Sequence, residues 1–75
     1  MKYIIFEDFA GEATPIIFPE RIAFEEMREQ IPYTQVISGG IVSLKQGQIK
    51  CFSQANELGL KASDRDHLVI SEHLL

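Results

Sequence analysis

Cys51, His67 and His73 are the side chains in this sequence best suited to chemistry. A nucleophilic or redox-active thiol needs a pKa lowered by a cation, a histidine or a helix N-terminus. Cys51 with His67 is the pair that could meet that need, as a small thiol-dependent enzyme or redox sensor. Cys51, however, falls in the alternating run QIKCFS at 48–53, in phase with Ile49. A free cysteine in that setting behaves as a small hydrophobe. A structural zinc site needs four ligands, and Cys51, Asp64 and His67 are the only conceivable cluster. His67 and His73 differ by about 120° on a helical wheel, so one helix face cannot chelate with both. His67 is expected at the edge of the core with one hydrogen bond, and His73 near a helix end, favourable to its dipole.

Two weaker signals have plain readings. Ser38-Gly39-Gly40 resembles a phosphate-cradling loop, but neither GxxxxGK[ST] nor a strand-to-helix GxGxxG is present. The glycines are expected to be backbone devices. Glu25, Glu26 and Glu29 could do general acid/base work in a desolvated cleft. They lie opposite the apolar stripe of their segment, which makes a solvated face the simpler expectation. The sequence thus assigns no catalytic, cofactor-binding or metal-ligating residue.

The elements that carry these residues follow from patterning. Lys2–Glu7 and Ala13–Phe18 read as strands around an acidic, glycine-containing turn, together a hairpin. Pro15 cannot donate to a ladder, so that end of the strand is expected at an edge or outside the pairing. Pro19 can start a helix whose first residue lies between Pro19 and Ala23. Ile22, Ala23, Phe24, Met27 and Ile31 supply its apolar stripe, and Pro32 ends it. Thr34–Leu44 is strand-like on both sides of Gly39-Gly40, which is either a tight hairpin or a bend within one long strand. The bend is preferred, because Gln46-Gly47 offers a better-placed turn into Gln48–Ser53. Gln54–Ala62 reads as a loop with a short turn at Asn56–Gly59, pinned by Leu58 and Leu60. A final helix runs from about Asp64 to Leu74. Ser63 is its N-cap, Asp66 the capping-box partner, and Leu68, Ile70, Leu74 and Leu75 form an apolar arc that includes His67 and Ser71.

These residues define a single α+β domain: an antiparallel sheet of about four strands in ββαββα order, with two helices packed on one face. At 75 residues there is no room for a second domain. Net stability of such a chain is about 4–11 kcal/mol. The net charge is −4, and the whole negative excess falls in residues 1–30. An acidic chain without a basic stripe makes nucleic acid an unlikely partner, since that affinity comes largely from neutralised phosphates. Lys45 and Lys50 can share one end of a hairpin, but two lysines are not a patch. Weak nucleic-acid binding would need Lys45, Lys50, Lys61 and Arg65 on one surface. A lone cysteine excludes an intrachain disulfide, and the apolar run of MKYIIFEDF is too short for a signal peptide. No run approaches the roughly 20 apolar residues of a membrane span. A soluble cytoplasmic protein is expected.

The segments Ile17-Phe18-Pro19, Val36-Ile37-Ser38-Gly39-Gly40-Ile41-Val42, Ile49-Lys50-Cys51-Phe52-Ser53, Leu58-Gly59-Leu60 and Ser63-Asp64-Arg65-Asp66 share a further property. Together they resemble a group of small bacterial and phage-borne α+β proteins of unassigned function. Those read approximately IFP, VVSAGFV, VRCYGES, SLGL and SRPED at similar spacing. Gly39 here replaces a usual alanine, Ser53 a glycine and Arg65 a proline. The resemblance implies a shared fold and a bacterial or phage setting, and brings no activity. The expected function is therefore a non-enzymatic protein-interaction module. Its expected partner is a protein, with a second copy in a homodimer as one candidate, because a thinly stable sheet has exposed edges and apolar residues to cover.

Overall fold

The computed structural model describes residues 1–52, 54–55 and 59–74. Along them run β1 (Lys2–Glu7), β2 (Ala13–Phe18), α1 (Phe24–Glu29), β3 (Gln35–Lys45), β4 (Gln48–Phe52), β5 (Gln54–Ala55), β6 (Leu60–Lys61) and α2 (Asp66–Leu74). The first four strands form an antiparallel sheet in the order β2-β1-β3-β4. This is the expected α+β architecture with one addition. The segment read as a loop contributes β5 and β6, a separate antiparallel pair. Two residues per strand is too short for a periodic signal. Asn56, Glu57 and Leu58 of the anticipated turn lie outside the described residues.

β1 is the central strand with β3, and its Tyr3, Ile4 and Ile5 are all buried. Consecutive residues of a strand point to opposite faces, so both faces of β1 must be covered. Tyr3 and Ile5 pack with Ile17, Val42, Ile49 and Cys51 beneath Val69 and Ile70 of α2. Ile4 packs with Ile16, Phe18 and Val36 beneath Phe24 and Met27 of α1, joined by Leu60 of β6. The helices therefore lie on opposite faces, which corrects the expectation of both on one. The apolar run of β1 carries the reason: a one-sided sheet would alternate, and this strand does not.

α1 begins at Phe24, one residue past the expected range of Pro19 to Ala23, after a turn in which Ile22 N–H donates to the Pro19 carbonyl at 3.1 Å. Phe24 meets Phe18 edge to face, with centroids 5.6 Å apart and planes at 88°, a favoured aromatic geometry. Lys2 Nζ lies 4.9 Å from the Phe24 centroid and donates to the Ile22 carbonyl at 2.9 Å, tying the short helix to β1.

β3 is one continuous strand through Gly39-Gly40, as preferred. Its irregularity sits two residues earlier: Ile5 pairs with Ser38 but Phe6 with Val36, leaving Ile37 as an extra residue. Gly40 and Gly39 are buried opposite Tyr3 and Ile4. The β3–β4 turn is Gln46-Gly47, with φ of 51° and 76°. Two consecutive positive φ values identify the type I′ hairpin, whose twist matches that of the strands.

α2 presents a different face from the one the apolar arc suggested. Ile70 and Asp66 are buried and Val69 joins the core, whereas Leu68 is 53% exposed and His67 is exposed. The spacing 66, 69, 70 is the helical stripe that meets the sheet. An aspartate heads it, which a search for apolar residues alone overlooks. Leu75 and the Leu74 side chain lie outside the described residues.

The hairpin geometry is testable. A Cβ on Gly47 would meet nothing within 4 Å, so only its left-handed backbone resists substitution. Gly47→Ala should cost about 1 kcal/mol in denaturant unfolding. Gln46→Asn should be neutral or stabilising. An unchanged midpoint for Gly47→Ala would contradict the turn assignment.

Candidate functional site

The start of α2 carries one half of the expected capping box, with Ser63 Oγ turned to Arg65 instead of Asp66. Asp66 Oδ2 accepts the Ser63 N–H at 2.8 Å, and Ser63 Oγ accepts the Arg65 N–H at 3.4 Å. The same carboxylate also reaches into the sheet. Tyr3 Oη donates to Asp66 Oδ2, and Ser38 Oγ donates to Asp66 Oδ1 at 2.7 Å. One buried aspartate thus joins β1, β3 and the first turn of α2. Both Tyr3 and Ser38 project toward α2, because each is in phase with Ile5 of β1 or its ladder partner. Among the described residues, no buried side-chain nitrogen or oxygen lacks a hydrogen-bond partner.

The electrostatics of this cluster are those of a closed structural contact. Burial, followed by the hydrogen bond and negative charge of Asp66, pushes the Tyr3 phenol far above its ordinary value of 10.0. Burial likewise pushes the half-buried Cys51 thiol above its ordinary 9.0; a Tyr3 hydrogen bond opposes that rise, and the Asp66 charge adds to it. At neutral pH the sulfur is a thiol, while a nucleophile or metal ligand must be a thiolate. The direction is opposite to what an activated cysteine requires.

His67 does not take the core-edge position expected of it. It is exposed, and together with Cys51, Asp64, Ser63, Ala62 and Ile49 it lines a surface groove of about 450 Å³ between β4 and the start of α2. The structure therefore brings the proposed thiol–imidazole pair to one groove, but records no hydrogen bond between them. Among the described residues, no group of three or more His, Cys, Asp and Glu side chains could hold a metal ion. His73 makes the contact assigned to His67, its Nε2 lying 3.2 Å from the Ala13 carbonyl of β2. Glu25, Glu26 and Glu29 are exposed.

Lys45 and Lys50 share one face of the β3–β4 hairpin and line a second surface hollow with Ser43, Gln46 and Gln48. Lys61 and Arg65 do not line it. No helix among the described residues is long and apolar enough to cross a membrane.

Sequence reasoning located Asp66 as a cap but missed its contacts with Tyr3 and Ser38. The tyrosine, the serine and the aspartate are 63 and 28 residues apart along the chain, so local spacing holds no trace of the link. The available signal was a polar Ser38 inside an apolar strand and an acid at the head of the buried stripe of α2.

No family model matches the chain, and no curated protein or solved structure shows a significant similarity to it.

The buried contact predicts two stability effects. Asp66→Ala should cost about 2–5 kcal/mol, because it strands two buried hydroxyls and uncaps α2. Raised folded-state pKa values mean that the Tyr3 and Cys51 contributions are complete below the ordinary pKa of each group. As pH rises above about 9–10, the unfolded chain releases those protons first and stability falls. Tyr3→Phe should flatten that alkaline decline in denaturant titrations at pH 8–11. An identical decline in the variant would show that the Tyr3 hydroxyl is not protected.

Proposed function

We propose that this chain is a non-enzymatic protein-interaction module that associates with a second copy of itself, in the cytoplasm of a bacterium or as a phage accessory protein. The setting rests on the resemblance of its strand motifs to small bacterial and phage-borne proteins, and on the single unpaired cysteine. The carrying observation for the interaction is the display of two aromatic side chains. Phe9 is 90% exposed and Tyr33 is 92% exposed. Phe9 lies two residues beyond Glu7 and Tyr33 two residues before Gln35, and Glu7 and Gln35 are ladder partners. Both aromatics therefore leave the same end of the sheet.

Each is held on a loop stiffened by side-chain hydrogen bonds. Asp8 Oδ1 accepts the N–H groups of Ala10 and Glu12, both at 2.9 Å, and Thr14 Oγ1 donates to Asp8 Oδ2 at 3.1 Å. Arg28 donates to the carbonyls of Ile31 at 2.6 Å and Thr34 at 2.8 Å, and Thr34 Oγ1 donates to Ile31 at 2.6 Å. Tyr33 sits between them at φ 67°, a costly conformation for a bulky residue. Rigid exposed aromatics are the usual anchors of protein interfaces, because little conformational entropy is lost when they are covered.

The rival reading, a thiol enzyme or sensor, is favoured by the groove that Cys51 and His67 share and opposed by the raised thiol pKa. Native-state labelling of Cys51 faster than that of the unfolded chain would support it.

Self-association is tested by light scattering across a concentration series. A dimer is expected, and Phe9→Ala or Tyr33→Gly should weaken it by about 30-fold or more. Tyr33→Gly also removes the backbone strain, so it should leave stability unchanged or raised by up to about 1 kcal/mol. A chain that stays monomeric at high micromolar concentration defeats the self-association reading.

A further inference from the structure

The two edges of the main sheet are not equivalent. The bond from Val42 N–H to the Met1 carbonyl, at 2.7 Å, fixes which way the β3 backbone groups point. Val42 faces β1, so Ile41 and Ser43 face β4 and bond Phe52 and Lys50, their ladder partners. The N–H and C=O groups of Ile49 and Cys51 consequently point away from the sheet. Among the described residues, neither has a backbone partner there. By the same alternation, Ala13, Pro15 and Ile17 point outward on β2. Pro15 has no N–H to offer, and His73 of α2 already engages the Ala13 carbonyl. Pro15 and the His73 contact blunt the β2 edge against pairing, whereas the β4 edge is open among the described residues.

We infer that the β4 edge is a binding site for an extended segment of a partner protein whose apolar and acidic side chains alternate, added as a fifth strand. Such a strand would exchange main-chain hydrogen bonds with Ile49 and Cys51. On one face its side chains would enter the groove at the start of α2, where Ile49, Cys51 and Ala62 offer contact to apolar groups and Ser63, Asp64 and His67 form the polar rim. On the other face they would lie beside Lys45 and Lys50. No acidic residue occurs between Glu29 and Glu57, so the β3–β4 hairpin is locally basic in an acidic chain. Opposite charges directly across a strand pair are favourable and like charges are not. That argues against a second copy here, since β4 against β4 would gather the lysines of both copies on one face. This site is distinct from the aromatic end and does not depend on self-association.

The test is an NMR titration of the isotope-labelled full chain with capped six-residue peptides: alternating Val and Glu, alternating Val and Lys, and the Val-Glu peptide N-methylated on alternate residues. The Val-Glu peptide should shift the Ile49 and Cys51 amides most strongly and bind about tenfold more tightly than the Val-Lys peptide. The peptide whose strand-facing amides are methylated should lose binding. Lys50→Glu, a change at an exposed position, should reverse the charge preference. Equal binding of the two charged peptides, or no response at Ile49 and Cys51 at millimolar peptide, would overturn the inference. So would shifts at those amides that depend on protein concentration without peptide, since a second copy would then occupy the edge.

Discussion

The Asp66 carboxylate is the point at which the two halves of this molecule meet. Its oxygens accept hydrogen bonds from a tyrosine on the first strand, a serine on the third and the backbone at the head of the last helix. A buried carboxylate is costly unless its acceptor sites are filled. Here the capping box fills one, and the sheet supplies the others. The contact sets more than the position of α2: with the helix anchored at its N-terminus beside β4 and reaching β2 through His73, Ile70 and Val69 are laid across Tyr3 and Ile5.

Several functional features follow from that placement. Cys51 packs against the cluster, where burial holds its thiol pKa above the ordinary value. The helix meets the β2 edge through His73, and its N-terminal end beside β4 borders a groove lined by Ile49 and Cys51. The opposite face is covered by a one-and-a-half-turn helix held by Lys2, Phe18 and Phe24. Coverage is least complete at the loop end carrying Phe9 and Tyr33 and along β4, where the proposed contacts with other proteins lie.

Much of this architecture was legible in local sequence. The strands around the Gly11 turn, Pro15 at an edge, the Gln46-Gly47 turn and the Ser63–Asp66 cap each depend on neighbouring residues. Their chemistry allows few alternatives. What could not be read depended on distant partners. The helices sit on opposite faces because KYIIF is buried on both sides, a fact that alternation counts register only as an absence. The apolar arc counts Leu68 as core and Asp66 only as a cap, so it misses the buried face of α2. The aspartate is inside because Tyr3 and Ser38 wait for it, and nothing near residue 66 records that. The candidate surfaces were less legible still, since an open edge is a property of the finished sheet.

Amide hydrogen exchange of the free protein, resolved by NMR, tests the central account most directly. The Ser63 amide, bonded to Asp66, should exchange as slowly as the amides of the central strand β1. The Ile49 and Cys51 amides should exchange quickly although they lie within β4. A fast Ser63 amide, or slow ones at Ile49 and Cys51, would contradict an aspartate latch beside an open edge.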